Sequence, residues 1–236
     1  MSSSASLTPP STGPLLETRR LGRLDSGGVV ELLKPTDFVL TPGAQIAITG
    51  ASGSGKSVFL RALALLDAPA TGQMLWHGKP IPSEMIPHYR TCVSYLAQRP
   101  ALVEGSVLDN LQFPYTLKSL RQRRFNLPKA TELLAQAGKE PAFLQKSAQD
   151  LSGGESQIVA LVRTLQLAPQ VMLFDEPTSA LDPQSASAVE HLVRHWFDAD
   201  TSRAYIWVSH DPAQARRMST RHLTMDKGVL QLEPQR

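Results

Sequence analysis

Three short apolar runs, at residues 45–49, 171–174 and 204–209, set the hydrophobic pattern of this chain. Each run is continuous rather than alternating, which is typical of parallel strands that helices cover on both faces. The runs end beside Gly50, Asp175 and His210. Because ligands in open α/β sheets bind at the carboxyl ends of the strands, these positions predict one shared site.

The rest of the pattern predicts elements around this sheet. An antiparallel β region is expected over 32–40, with short hairpins that turn at 77–78 and 227–228. Residues 101–149 are helix-prone, and prolines interrupt them. We therefore predict an α/β fold with a mostly parallel sheet flanked by helices and an antiparallel β subdomain. The core of this single domain, 17–236, is expected at about 17–100 and 151–236, with an α-helical subdomain inserted at about 101–150.

Composition limits the classes of protein to which this chain can belong. Of the 236 residues, 42% are hydrophobic and 19% are charged, as in a protein with a buried core. No run approaches the roughly 18 consecutive apolar residues of a membrane helix, so any action at a membrane is expected to use another protein's span. Residues 1–16 are rich in Ser, Thr and Pro and predict a disordered leader. Cys92 stands alone, which is typical of a reducing compartment.

The net charge of +3 is mild. Basic residues cluster at 19–23 and 118–124, as solvated faces often do. Because no aromatic residues interleave with them to stack on bases, nucleic acid is not an expected partner.

The run from Gly50 to Ser57 fits the phosphate-binding pattern G-x-x-x-x-G-K-[ST]. It lies between an apolar strand and a helix-forming stretch at 58–66, so bound phosphates would lie at a helix N-terminus. Lys56 is expected to reach the β- and γ-phosphates, and the Ser57 hydroxyl can bind Mg²⁺. The predicted nucleotide-binding residues of this P-loop are Gly50, Ser52, Gly53, Ser54, Gly55, Lys56 and Ser57. The α/β core is therefore predicted to be of the P-loop NTPase type.

Two acids, Asp175 and Glu176, end the apolar run at 171–174. A carboxylate at the end of such a strand is a suitable ligand for Mg²⁺, a hard cation. Glu176 lies one residue further and points differently, so it is predicted to orient or deprotonate the water that attacks the γ-phosphate.

A second helix start follows Ser152, with Glu155 three residues later as in a capping box. The amphipathic helix itself is expected over 158–167. The Ser152 hydroxyl and the glycine N–H groups after it also suit a γ-phosphate. The capping and phosphate-binding interpretations are compatible.

Taken in order, these motifs resemble an ABC transporter ATPase over about residues 29–230. They are the P-loop, Gln98, the run Leu-Ser-Gly-Gly-Glu at 151–155, the acid pair with Ser-Ala-Leu-Asp at 179–182, and His210. The resemblance implies that Gln98 contacts Mg²⁺ and senses a membrane partner, and that Glu176 is the catalytic base. It further implies that Ser152, Gly153 and Gly154 complete the partner subunit's ATP site, as Asp182 helps to do, and that His210 contacts the γ-phosphate.

The same resemblance implies an assembly. Two copies would form a head-to-tail homodimer around two ATP molecules with Mg²⁺, at the cytoplasmic face of the inner (plasma) membrane. The helical subdomain would dock on a separately encoded integral membrane permease. Four apolar and aromatic residues at 111–115, expected to be exposed, are candidates for that contact, and packing within the helical subdomain is the alternative: Leu111, Phe113, Pro114 and Tyr115.

Stretches 89–100 and 107–114 are similar to small bacterial ABC ATPases implicated in iron export. A non-transport ABC ATPase, of the assembly or lipoprotein-release type, is the alternative. The six His and one Cys form no ligand cluster, so a metal would be selected by the permease. The chain departs from the family pattern where an aromatic usually stacks on adenine, since Arg23 or Leu24 falls there, and Ile158 replaces a frequent Arg.

Overall fold

The computed structural model describes residues 13–232. Within them the strands are β1 (Leu16–Leu24), β2 (Glu31–Leu40), β3 (Gln45–Thr49), β4 (Thr71–Trp76), β5 (Lys79–Pro80), β6 (Val93–Leu96), β7 (Val171–Asp175), β8 (Ala204–Val208), β9 (Arg221–Asp226) and β10 (Val229–Leu232). The helices are α1 (Lys56–Leu63), α2 (Ile86–Cys92), α3 (Val107–Gln112), α4 (Leu127–Gln136), α5 (Gly153–Leu165), α6 (Pro183–Asp198) and α7 (Pro212–Met218).

Six strands form the central sheet in the order β10-β9-β3-β8-β7-β6. The pairs from β9 to β6 are parallel, and β10 adds an antiparallel edge. The predicted α/β fold is therefore confirmed, with the three apolar runs as β3, β7 and β8. The sequence reasoning missed β6, because a strand of four residues directly after a helix has too short a pattern to be recognised.

The central sheet is covered on both faces. In the neighbouring strands β7 and β8, Leu173 and Ile206 belong to one hydrophobic cluster, and Phe174 and Trp207 belong to the other. All four side chains are fully buried. Successive strand residues point to opposite faces, so a run with both faces buried must be continuously apolar, as it is here.

A second sheet is antiparallel, in the order β2-β1-β4-β5. The predicted β region at 32–40 and the hairpins that turn at 77–78 and 227–228 are confirmed as β2, β4–β5 and β9–β10. Strand β1 was not predicted. Leu15 and Leu16 are buried in the core, so the folded part begins before the predicted end of the leader at residue 16. Residues 1–12 of that leader lie outside the described residues.

Helices α3, α4 and α5 follow one another between β6 and β7. Two of the four candidate docking residues in this region are buried. Leu111 is fully buried on α3 in the second cluster, and Pro114 is also buried. The expectation that they are exposed was wrong, because α3 packs this side of its surface against α5. Phe113 remains 40% exposed.

Candidate functional site

The loop after β3 is held in place by the β9–β10 hairpin. Gly50 has φ +145°, and a Cβ atom there would lie 2.2 Å from the carbonyl oxygen of Met225, so no other residue fits. The Gly228 N–H donates to the Ser54 carbonyl oxygen at 2.8 Å. Ser54 Oγ is buried without a hydrogen-bond partner among the described residues. The loop is thus shaped before any ligand binds.

Lys56 is the first residue of α1, and its side chain turns back over the loop. Its Nζ atom donates to the carbonyl oxygens of Gly50, at 2.8 Å, and Ala51, at 2.9 Å. Ser52 and Gly53, between these groups, are exposed. A cation and a helix N-terminus that converge on an exposed loop backbone form a site for an anion.

Asp175, the last residue of β7, is buried and accepts two side-chain hydrogen bonds. Ser57 Oγ donates to Oδ1 at 2.9 Å, and the Tyr95 hydroxyl donates to Oδ2 at 2.7 Å. Burial and this bond raise the pKa of Tyr95, so its hydroxyl keeps the proton that it donates. Sequence reasoning missed Tyr95, because its contact with Asp175 depends on β6 lying beside β7 in the folded sheet.

Glu176 follows Asp175, and two side chains contact one of its carboxylate oxygens. Gln98 Nε2 lies 3.3 Å from Oε2, and His210 Nδ1 lies 3.2 Å from the same atom. Gln98 also donates to Ser179 Oγ at 2.9 Å. These side chains follow β6, β7 and β8, three adjacent parallel strands. The structure therefore brings Gln98, Glu176 and His210 together at the carboxyl ends of those strands.

A cleft of about 570 Å³ connects the loop with Asp175, Glu176 and Gln98, and His210 lines a neighbouring pocket that shares Glu176. The lining of the cleft includes Ser52–Val58 without Ser54, and also Val30, Glu31, Leu32, Gln98, Asp175, Glu176, Lys227 and Gly228. The wall beyond the loop is aliphatic, formed by Val30 and Leu32. Neither Arg23 nor Leu24 lines the cleft, and Arg23 Nη1 donates to the Ala68 carbonyl oxygen at 2.6 Å.

Ser152 caps the N-terminus of α5. Its Oγ accepts the Glu155 N–H at 3.2 Å, and Glu155 Oε2 accepts the Ser152 N–H at 3.0 Å, which completes the capping box. Lys146 Nζ donates to Glu155 Oε2 at 2.7 Å. Partial burial acts against ionisation, but these bonds lower the pKa of Glu155 to about 2. The predicted capping box is confirmed, and the helix begins at Gly153, directly after Ser152 and five residues before the amphipathic part expected from 158.

Asp182 lies beside this helix end rather than in the cleft. It caps α6, with Oδ1 accepting the Ser185 N–H at 2.9 Å. A Cβ atom on Gly154 would lie 2.4 Å from Ser185 Oγ and 3.7 Å from Asp182 Oδ2. Ser152, Gly153 and Asp182 are all exposed. The predicted site residues thus form two separate groups, one around the P-loop and one at the start of α5.

The donors near Asp175 fit Mg²⁺. A carboxylate and a hydroxyl in direct contact, next to a phosphate-binding loop, offer the hard oxygen ligands that this cation prefers. Gln98, the third predicted ligand, instead has its Nε2 on Glu176 and Ser179. Among the described residues, no group of three or more His, Cys, Asp or Glu side chains could hold a metal.

Comparisons with known proteins find a family profile and several relatives. The family profile described as "ABC transporter" matches residues 33–179. An Escherichia coli K12 protein named "Probable iron export ATP-binding protein FetA" is 36% identical over 198 residues, which are 84% of this chain and 85% of that protein. The "Lipoprotein-releasing system ATP-binding protein LolD" of Bordetella pertussis is 35% identical, with coverage of 94% and 98%.

A solved structure shares the fold. The ATP-binding cassette MJ0796, in a dimeric post-hydrolysis state with ADP and Pi, matches with a TM-score of 0.79 at 24% identity. The match covers 92% of this chain and 98% of that one. Within residues 13–232, no helix has both the length and the apolar character to cross a membrane.

Proposed function

This chain belongs to the ABC transporter ATP-binding family, and from that premise we propose that it hydrolyses ATP to drive a separately encoded integral membrane permease that exports a metal. The observation that carries the proposal is the meeting of Gln98 and His210 on one oxygen of Glu176. This contact connects Glu176, the base for hydrolysis, with Gln98, which follows β6 where the chain leads into the helical region.

The binding step uses the loop and the residues beside it. Lys56, now bonded to Gly50 and Ala51, would exchange those carbonyl oxygens for phosphate oxygens of ATP. The exposed backbone of Ser52 and Gly53 offers N–H groups to the same phosphates. Ser57 and Asp175 would hold Mg²⁺, which neutralises charge on the phosphates when bound.

In the hydrolysis step, Glu176 acts as the general base toward a water molecule. Gln98 and His210 both contact Oε2 of its carboxylate and would orient the base. We assign His210 the contact with the γ-phosphate, because it is exposed and its Nδ1 atom lies 3.2 Å from Glu176 Oε2. A positioned base of this kind contributes typically 10²–10⁴-fold to the rate.

The second group of site residues requires another copy of this chain. Ser152 and Gly153 are exposed at the start of α5, outside the P-loop cleft. In a head-to-tail dimer, the partner subunit's Ser152, Gly153 and Gly154 would cover the γ-phosphate, with the partner's Asp182 beside them. Two-fold symmetry then makes two equal ATP sites. ATP would close the dimer and hydrolysis would release it.

A cleft between the core and the helical region is the proposed seat for a cytoplasmic helix of the permease. Leu66, Phe113 and Leu117 line it and are each 40–45% exposed. Residues 101–103 also line it, and they are a few residues from Gln98. Movement of a docked helix would therefore reach Glu176 through Gln98. This arrangement would hold the chain at the cytoplasmic face of the inner membrane as a peripheral subunit.

The exported substrate is proposed to be iron, supported by the similarity to the E. coli protein named for probable iron export. Release of lipoproteins is the second candidate. Its support is the similarity to LolD, which covers 98% of that protein at 35% identity. Either substrate would be selected by the permease.

The test is a purification of the tagged chain from detergent-solubilised membranes, with co-purifying proteins identified by mass spectrometry. We expect a protein with several membrane spans, and its loss when Phe113→Asp and Leu117→Asp are combined. Leu232→Asp, at an exposed apolar position outside this cleft, is the matched control.

The purified complex in proteoliposomes then separates the two substrates. ATP-dependent transport of Fe²⁺ would support iron export, and release of a lipoprotein to its carrier would support the second candidate. Recovery of soluble proteins alone would contradict coupling to a permease.

A further inference from the structure

A buried amide joins the loop that carries Glu176 to the loop that carries His210. Gln214 lies on α7 and is 6% exposed. Its Nε2 donates to Thr178 Oγ1 at 2.7 Å, and its Oε1 accepts from Ser209 Oγ at 2.9 Å. Thr178 is two residues after Glu176, and Ser209 directly precedes His210. One side chain thus connects the two loops beneath the place where they meet.

The orientation of this amide follows from its two other partners. Trp207 Nε1 can only donate, and it lies 3.2 Å from Oε1. Glu190 Oε1 accepts from Nε2 at 2.8 Å. Burial opposes ionisation of Glu190, but bonds from Arg217 and Gln214 lower its pKa, so it faces the amide as an acceptor. All four hydrogen-bonding positions of the Gln214 amide are therefore used.

The network is buried and specific. Thr178, Glu190 and Ser209 are each less than 9% exposed, and Trp207 is fully buried. An apolar side chain at position 214 would leave Thr178 Oγ1 and Trp207 Nε1 without a partner among the described residues and would take one bond each from Glu190 and Ser209. The two loops would then lose their common support, and the contact of His210 Nδ1 with Glu176 Oε2 depends on both loops.

We propose that Gln214 is a positioning residue for ATP hydrolysis, which sets the distance between Glu176 and His210 through Thr178 and Ser209. It touches neither ATP nor the attacking water. The role rests on ATP hydrolysis by this family and not on the identity of the permease or its substrate.

The test compares Gln214→Met, which keeps the volume and removes the bonds, with wild type. We expect kcat of the purified chain to fall by about tenfold to a hundredfold, as displaced catalytic groups do, while KM for MgATP stays within about threefold. The matched control is Arg217→Met. It removes the ion pair with Glu190, while Glu190 Oε1 can accept from Gln214 Nε2 whether or not Oε2 takes up a proton, so it should lower the melting temperature with kcat within about twofold.

A double variant separates positioning from stability. If Gln214 acts through His210, then Gln214→Met should lower the residual single-turnover rate of His210→Ala by less than about twofold. A full further loss in that background, an equal loss of kcat in Arg217→Met, or an unchanged kcat in Gln214→Met would each overturn the proposal.

If Gln214→Met does not fold, Thr178→Val removes the contact of Thr178 with the amide, and Ser209→Ala removes the contact of Ser209 with the amide together with its bonds to the Asp211 backbone. Each should lower kcat by several-fold at unchanged KM, and normal kcat in both would also overturn it. Wild-type ATPase activity is the reference throughout, so failure to find a permease leaves this test intact.

Discussion

The P-loop and the start of α5 are both helix N-termini proposed to bind phosphate, but the chain supports them differently. The P-loop is held by contacts between distant segments, such as Gly228 with Ser54 and Ser57 with Asp175. The start of α5 is held mainly by local capping, with Ser152 and Gly153 open to solvent. The first is a complete half of a site, and the second is a surface prepared for another molecule.

This difference separates the properties of a single copy of the chain from those that require two copies. Binding of nucleotide at the P-loop needs groups that are already together in one copy. In the proposed dimer, hydrolysis and closure need the second group, which is exposed at the helix end and would face the partner. Variants that affect one half alone should therefore separate binding from closure.

The largest effect is expected from Glu176→Gln, which removes the base on the P-loop side. Hydrolysis should fall by at least about a hundredfold, since a positioned general base typically contributes that much. MgATP binding should persist, because Lys56 and the loop are unchanged, and light scattering should show an accumulated closed dimer. A variant that remains monomeric in saturating MgATP would count strongly against the proposed dimer.

Mixing two inactive variants tests the division between the halves. Lys56→Ala disables the P-loop, and Gly153→Asp places a negative charge before the γ-phosphate. Nothing lies within 4 Å of a Cβ atom at Gly153, and an acid suits a helix N-terminus, so this second variant should fold. Each mixed dimer keeps one intact site, so the mixture should regain about a quarter of wild-type activity.

The neutral variant Gly153→Asn is the control for this experiment, and it should retain more activity than Gly153→Asp. No gain on mixing, with both proteins folded, would show that each site is built within a single chain. That result would remove the distinction between the two halves.

A smaller effect concerns only the start of α5. Glu155→Gln should weaken the capping box and the ion pairs with Lys139 and Lys146, and lower the free energy of unfolding by about 1 kcal/mol near neutral pH. The pKa of Glu155 is lowered from 4.5 to about 2. Its contribution is therefore present above pH 4.5 and lost as the pH falls toward 2.

Chemical denaturation at pH 7 and pH 3 measures this effect, with the difference between wild type and variant shrinking at the lower pH. Lys146→Met is the matched variant from the other side of the pair. An equal difference at both pH values would contradict the assigned role of the Glu155 carboxylate. Nucleotide affinity at the P-loop should be unaffected in both variants.

The sequence alone determined the features that local patterns encode. Continuous apolar runs predicted β3, β7 and β8, since strands buried on both faces admit few polar residues. The P-loop pattern and the capping box at Ser152 are likewise contained in a few consecutive residues. Elements with weaker local patterns, such as β1 and β6, were missed.

Only the tertiary structure decided which distant side chains meet. Gln98 and His210 reach the same oxygen of Glu176, and Tyr95 reaches Asp175, because strand order and register place these segments side by side. Tertiary packing likewise brings Gln214 together with its four partners and buries Leu111, which was predicted to be exposed. Neither pairing across a sheet nor burial of a helix face follows from nearby residues, since both depend on how the whole chain packs.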